Sequence, residues 1–99
     1  MARVPVTRIM LDAAGWQDFR DIYAALLPAL GAPDWHGPNL DAVYDALVAG
    51  HYRIRPPIVV TVQAVNQASQ SMRTYLARLV TVFDDAQAQY GIDARLVLA

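Results

Sequence analysis

Apolar positions along this chain recur with two different periods, and the switches between them mark out six elements. Across residues 3–11, Val4, Val6, Thr7, Ile9, Met10 and Leu11 favour extended backbone, with Pro5 tolerable only at a strand's end or edge. Residues 12–15 read as a turn. Trp16, Phe19, Tyr23, Leu26, Leu27 and Leu30 then fall on one helical stripe, which makes Trp16 a core residue of the first helix. Pro28 predicts a distorted last turn, and Gly31-Ala32-Pro33 predicts a stop. A second helix is expected from Asn39, a favourable N-cap, with Asp41 in the first turn where the helix dipole stabilises an anion. Leu40, Val43, Tyr44 and Leu47 lie at i, i+3, i+4 and i+7 as its buried face, and Gly50 closes it.

After Pro56-Pro57, the β-branched run over 58–62 has the character of a central strand covered on both faces. Residues 64–71 are polar and fit a loop, a short helix or the start of the next helix equally. Met72, Tyr75, Leu76, Leu79, Phe83, Ala86 and Tyr90 form the longest stripe, which places Phe83 and Tyr90 in the core, and Gly91 ends it. A last strand covers 92–98. The order β-α-α-β-α-β, with helices between the outer strands and the middle one, predicts an α/β fold: a small three-stranded parallel sheet packed with helices, its connections right-handed. At 99 residues the chain supports one core, hence a single domain over 1–99.

Composition narrows the function classes. No stretch approaches the ~18 apolar residues of a membrane span, and residues 1–11 hold no apolar run long enough for a signal peptide. The chain has no cysteine, which removes disulfides, thiol nucleophiles and zinc–thiolate sites and makes the cytoplasm the default compartment. A formal charge of −1 argues against direct nucleic-acid binding, which needs a basic surface. That total hides a segregation. All nine acids are Asp and all eight bases Arg, and between Arg20 and Arg53 there are Asp21, Asp34, Asp41 and Asp45 but no Arg at all. The middle third is an acidic island.

Asp41 and Asp45 stand at i, i+4 with no Arg within four residues, so they repel each other across one turn. On a helical wheel they lie about 100–140° from the centre of the apolar stripe, facing solvent beside the core. A solvated helix face accounts for that spacing alone. What favours a binding surface is the flanking chemistry: Trp35 and His36 before the helix, in a loop bracketed by Gly and Pro, and His51 after it. His36, Asp41 and Asp45 are also possible ligands for a metal-assisted hydrolase, but no compact ligand spacing is present, and the expectation is no metal, no cofactor and no enzyme activity.

The run Leu30-Gly31-Ala32-Pro33-Asp34-Trp35-His36-Gly37-Pro38-Asn39-Leu40-Asp41-Ala42-Val43-Tyr44-Asp45-Ala46-Leu47 resembles the signature of the barstar family. That signature is Pro, an acid and an aromatic, then Gly-x-Asn-Leu-Asp-Ala-aliphatic-aromatic-Asp-x-Leu. Val82-Phe83-Asp84-Asp85-Ala86, followed by Gly91 and a terminal strand, resembles the family's last helix and strand. The resemblance implies an intracellular inhibitor, an immunity protein, that binds across the active site of an extracellular-type bacterial ribonuclease (barnase-like or a toxin's nuclease domain), and is monomeric until it does. Asp45 matches the aspartate that enters the nuclease's phosphate site, Asp41 the second acidic contact and Trp35 the aromatic that packs on the enzyme. Asp85 stands where the family has a peripheral glutamate. The expected partner-binding set is thus Trp35, His36, Gly37, Asn39, Asp41, Tyr44, Asp45, His51 and Asp85. The alternative is an interaction module of the same fold whose partner is not a nuclease.

Overall fold

The computed structural model describes residues 5–99. Its elements follow the expected order, with strands β1 (Thr7–Asp12), β2 (Ile58–Gln63) and β3 (Ala94–Leu98) and helices α1 (Phe19–Leu30), α2 (Leu40–Ala49) and α3 (Gln70–Tyr90). The three strands form one parallel sheet in the order β1-β2-β3, Thr7 opposite Ile58 and Ile58 opposite Ala94. The fold is α/β, as the pattern predicts.

Element ends differ from expectation where backbone donors are committed elsewhere. The first strand begins at Thr7; Pro5 and Val6 precede it, and the expected start at Arg3 lies outside the described residues. The neighbouring strand sets this limit. The Thr7 N–H donates to the Pro57 carbonyl, and neither Pro57 nor Pro56 has an N–H with which to extend the ladder backwards. Helix α1 starts at Phe19, not Trp16. Asp18 caps it by accepting from the Arg20 N–H at 2.8 Å, and the Asp21 carboxylate reaches back to the Asp18 N–H in a capping box. Trp16 sits in the preceding loop, half-buried against the core. Pro28 lies inside the last turn of α1 on an exposed face, and the helix runs on to Leu30. The ambiguous stretch 64–71 resolves into a 3-10 turn over Val65–Gln67, then Ser69 capping α3 through the Met72 N–H. The last strand starts at Ala94, because the Ile92 N–H closes the end of α3 on the Ala86 carbonyl.

Ile58, Val60 and Val62 are all 1% exposed or less and join Ile22, Leu26, Leu30, Val43, Leu76, Leu79 and Phe83 in one core. Burial alternates along every strand, so the sheet is packed on one face only. This corrects the expectation that β2 is covered on both sides: Val59 and Thr61 are half-buried, between exposed Arg8 and Arg95 and between exposed Met10 and Val97 in register. A second correction concerns Tyr90, which is 62% exposed. Phe83 and Ala86 carry the α3 stripe into the core, and by its last residue the helix has run past the core's edge.

Two buried tyrosines make stability depend on alkaline pH. Burial above all, and then the hydrogen bond between the Tyr23 and Tyr75 hydroxyls at 2.6 Å, raises the Tyr23 pKa; burial alone raises that of Tyr52. A phenol whose folded-state pKa is raised keeps its stabilising contribution below the unfolded value of about 10 and loses it as pH climbs toward the folded value. Unfolding free energy should therefore hold up to about pH 10 and then fall with rising pH, by at most about 1.4 kcal/mol per pH unit from each phenol. The chain has no lysine or cysteine to titrate in that range. Urea unfolding at pH 9, 10 and 11 checks this, and Tyr52→Phe should make the slope shallower; a slope untouched by that change would assign the loss to other groups.

Candidate protein-binding site

The acidic island folds into a loop, a helix and the turn after it, held in place from beneath. The Arg53 N–H donates to the Gly31 carbonyl and the Ile54 N–H to the Leu30 carbonyl, which ties the segment after α2 to the end of α1. Between these anchors and α2 lies Tyr52, 4% exposed. Its hydroxyl meets His36 Nε2 at 2.8 Å, while His36 Nδ1 meets the Gly37 carbonyl at 2.7 Å. A carbonyl only accepts, so Nδ1 carries the proton and, in the neutral ring, Nε2 accepts from Tyr52. The two rings lie stacked 5.4 Å apart. His36 is thus turned inward, 8% exposed, and anchors the loop through both ring nitrogens.

With position 36 inward, position 35 faces out. Trp35 is 70% exposed and its ring stands edge-on to His51, centroids 4.9 Å apart. An indole braced by an imidazole is a pre-oriented contact surface with few rotamers left to lose.

Gly37 and Asn39 set the start of α2. Asn39 Oδ1 accepts from the Ala42 N–H at 2.7 Å, which leaves the side-chain amide nitrogen against Gly37. A Cβ at position 37 would lie 2.8 Å from that nitrogen, so a side chain there would press on the capping amide. The Gly-x-Asn-Leu-Asp run therefore has a physical content: room for the cap, the cap, an inward leucine, and an anion at the helix N-terminus. These two residues position the surface, and Asp41 and Asp45 form it. Both carboxylates are exposed, one turn apart on α2.

Helix α3 completes the surface. Half-buried Tyr44 donates its hydroxyl to Gln89 Oε1 and packs edge-on against Tyr90, ring centroids 6.5 Å apart. Loss of water around the Tyr44 hydroxyl, then Tyr90, and then the Asp85 and Asp45 carboxylates raise its pKa. Asp45 follows Tyr44 on α2, and Asp85 stands one turn before Gln89 on α3, so each helix carries an exposed acid next to the residue that joins them. Tyr52, Gln89 and Tyr90 were not foreseen: Tyr52 follows Gly50 in irregular chain with no periodicity around it, and Tyr90 continues a core stripe.

The arrangement suits a protein partner better than a small substrate. Among the described residues no three His, Asp or Glu side chains converge as a metal site would require, and the His36–Asp41–Asp45 hydrolase reading loses its geometry. A cleft of about 220 Å³ lined by Gln17, Asp18, Phe19, Ser69, Met72 and Tyr75 shares no residue with the acidic surface. Among the described residues no helix is long and apolar enough to cross a membrane. A family model described as Barstar (barnase inhibitor) matches residues 6–99, nearly the whole chain. The chain belongs to the barstar family. No curated protein matches it. The barstar match spans all six elements, and within it the run from Gly37 to Leu47 is the part that builds the acidic helix face.

Proposed function

We propose that this barstar-family chain inhibits a bacterial ribonuclease by laying the acidic face of α2 across the nuclease's active site, as an immunity protein in the cytoplasm of the producing cell. The observation that carries the reading is the exposed Asp41–Asp45 pair on a capped helix, with exposed Trp35 in the loop that leads into it. An RNA-cleaving site gathers cationic side chains to hold phosphate. A carboxylate on a rigid helix can take the phosphate's place, gaining charge-assisted hydrogen bonds to Arg and Lys. Asp45 fills that role in this reading, with Asp41 as a second acidic contact, Trp35 packing on the enzyme's rim and His51 behind it. The chain acts as a binder, one monomer to one nuclease, with no chemistry of its own.

The test is titration of the protein into assays of a panel of barnase-like and toxin-derived ribonucleases. Stoichiometric inhibition of at least one is expected; no inhibition across the panel removes the reading, and binding through Trp35 without inhibition would make the chain an interaction module instead. Because the net charge is only −1, steering must come from the local island, and the Debye length falls from about 30 Å at 0.01 M salt to about 10 Å at 0.1 M. The association rate should therefore drop severalfold over that range, read by stopped-flow fluorescence. A flat rate would show that the aspartates do not steer the encounter.

A further inference from the structure

Tyr90 has no part in the inhibitor scheme so far. An isolated exposed tyrosine would need no explanation. Tyr90 is not isolated: it is the last residue of α3, 62% exposed, with its ring edge-on to Tyr44 on α2. Tyr44 is itself tethered to Gln89, the residue before Tyr90, so both rings are fixed relative to each other across the two helices. Exposed Asp45 is the next residue after Tyr44 on α2, and exposed Asp85 lies one turn before Gln89 on α3. The exposed aromatic area is therefore continuous with the acidic face.

We infer that Tyr90, at the C-terminal end of α3, is a further contact residue of this surface and receives an arginine-bearing rim of the ribonuclease's basic cleft. The inference rests on the inhibitor reading above. Charge complementarity selects the occupant. A guanidinium is planar and weakly hydrated, so it can lie on a tyrosine ring while its N–H groups reach a neighbouring carboxylate, which an ammonium group does less well. Tyr90 also has only two side-chain torsions to lose, and Tyr44 already restricts them. Being uncharged, it should lengthen the life of the complex and leave the encounter rate alone, whereas Asp85 should act on the encounter.

The experiment measures association and dissociation rates of the wild type, Tyr90→Ala, Tyr90→Phe, Gln89→Ala and Asp45→Ala against a ribonuclease the chain inhibits, at low and moderate salt. Tyr90→Ala should raise the dissociation rate about tenfold at both salt concentrations with association unchanged. Tyr90→Phe and Gln89→Ala should each stay within about threefold of wild type, because the ring, which both keep, is the contacting group. If Tyr90→Ala dissociates like wild type while Asp45→Ala is weakened, the inference fails and the inhibitor reading stands. Equal losses in Gln89→Ala and Tyr90→Ala would reduce Tyr90 to a prop for Tyr44 and also overturn it. If the wild type binds no ribonuclease of the panel, both fall together.

Discussion

Asp45→Ala should make the free protein more stable and its complex far weaker. The two effects have separate origins. In the free chain Asp45 is exposed in the middle of α2, too far from the N-terminus to gain from the dipole, and one turn from Asp41 with no Arg nearby. Removing it relieves a like-charge pair costing about 0.2–0.5 kcal/mol. It also replaces a poor helix former by the best one, a gain of up to about 0.7 kcal/mol. Together these amount to about 1 kcal/mol, or roughly 4–8 °C in the melting temperature of a domain this size. In the complex the same carboxylate would be buried against cationic groups, and truncating one member of such a pair leaves the others uncompensated, at about 3–5 kcal/mol. Affinity should fall a hundredfold or more, beyond any other single change on this face. Calorimetric melting and titration on one preparation read both quantities. A variant that melts higher yet binds as tightly as wild type would eliminate Asp45 as the phosphate mimic.

That opposing pair of effects also explains how much was legible before the structure. Asp41 and Asp45 violate the local rule that helix charges are compensated, and the violation is visible in sequence because i, i+4 spacing fixes which side chains meet. Asn39, Gly50 and Gly91 mark helix ends for equally local reasons, and those ends fall where expected. The boundaries that moved depend on partners far away in the chain. Strand β1 begins only at Thr7 because two prolines at 56 and 57 face its start, and nothing within residues 3–11 encodes that. Trp16 lies at helical spacing from Phe19 and Tyr23, but the Asp18–Asp21 capping box starts the helix after it. The box uses aspartate where glutamate or glutamine is the familiar signal.

The site divides along the same line. Its exposed acids were readable from spacing and its geometry was not. Whether His36 or Trp35 faces outward is settled by Tyr52, sixteen positions on. Alternation within an irregular loop carries no period from which to infer it. Tyr90 shows the complementary limit: a helical stripe states which residues share a face and says nothing about where along the helix the core ends.

Gly31→Ala is expected to cost the most stability of any glycine replacement at a helix end, and to loosen the site from a distance. Gly31 ends α1 at φ 69°, a left-handed conformation that costs an L-residue about 1–2 kcal/mol. Gly91 ends α3 at φ 68° and carries the same penalty, with nothing within 4 Å of an added Cβ. At Gly31 that Cβ would lie 2.6 Å from Arg53 Cβ, at the base of a side chain where no rotamer change can help. The backbone there must shift, adding about 1–3 kcal/mol of overpacking. Gly31→Ala should thus cost about 2–5 kcal/mol in urea unfolding against about 1–2 for Gly91→Ala. The shift also falls on a structural tie, since the Gly31 and Leu30 carbonyls hold Arg53 and Ile54, next to the tyrosine that anchors His36. Trp35 fluorescence, with Trp16→Phe as background, should then become more quenchable in Gly31→Ala and stay unchanged in Gly91→Ala. Equal costs for the two glycines would mean that the Arg53 contact relaxes freely, and unchanged quenching would mean that the loop is anchored independently of the α1 terminus.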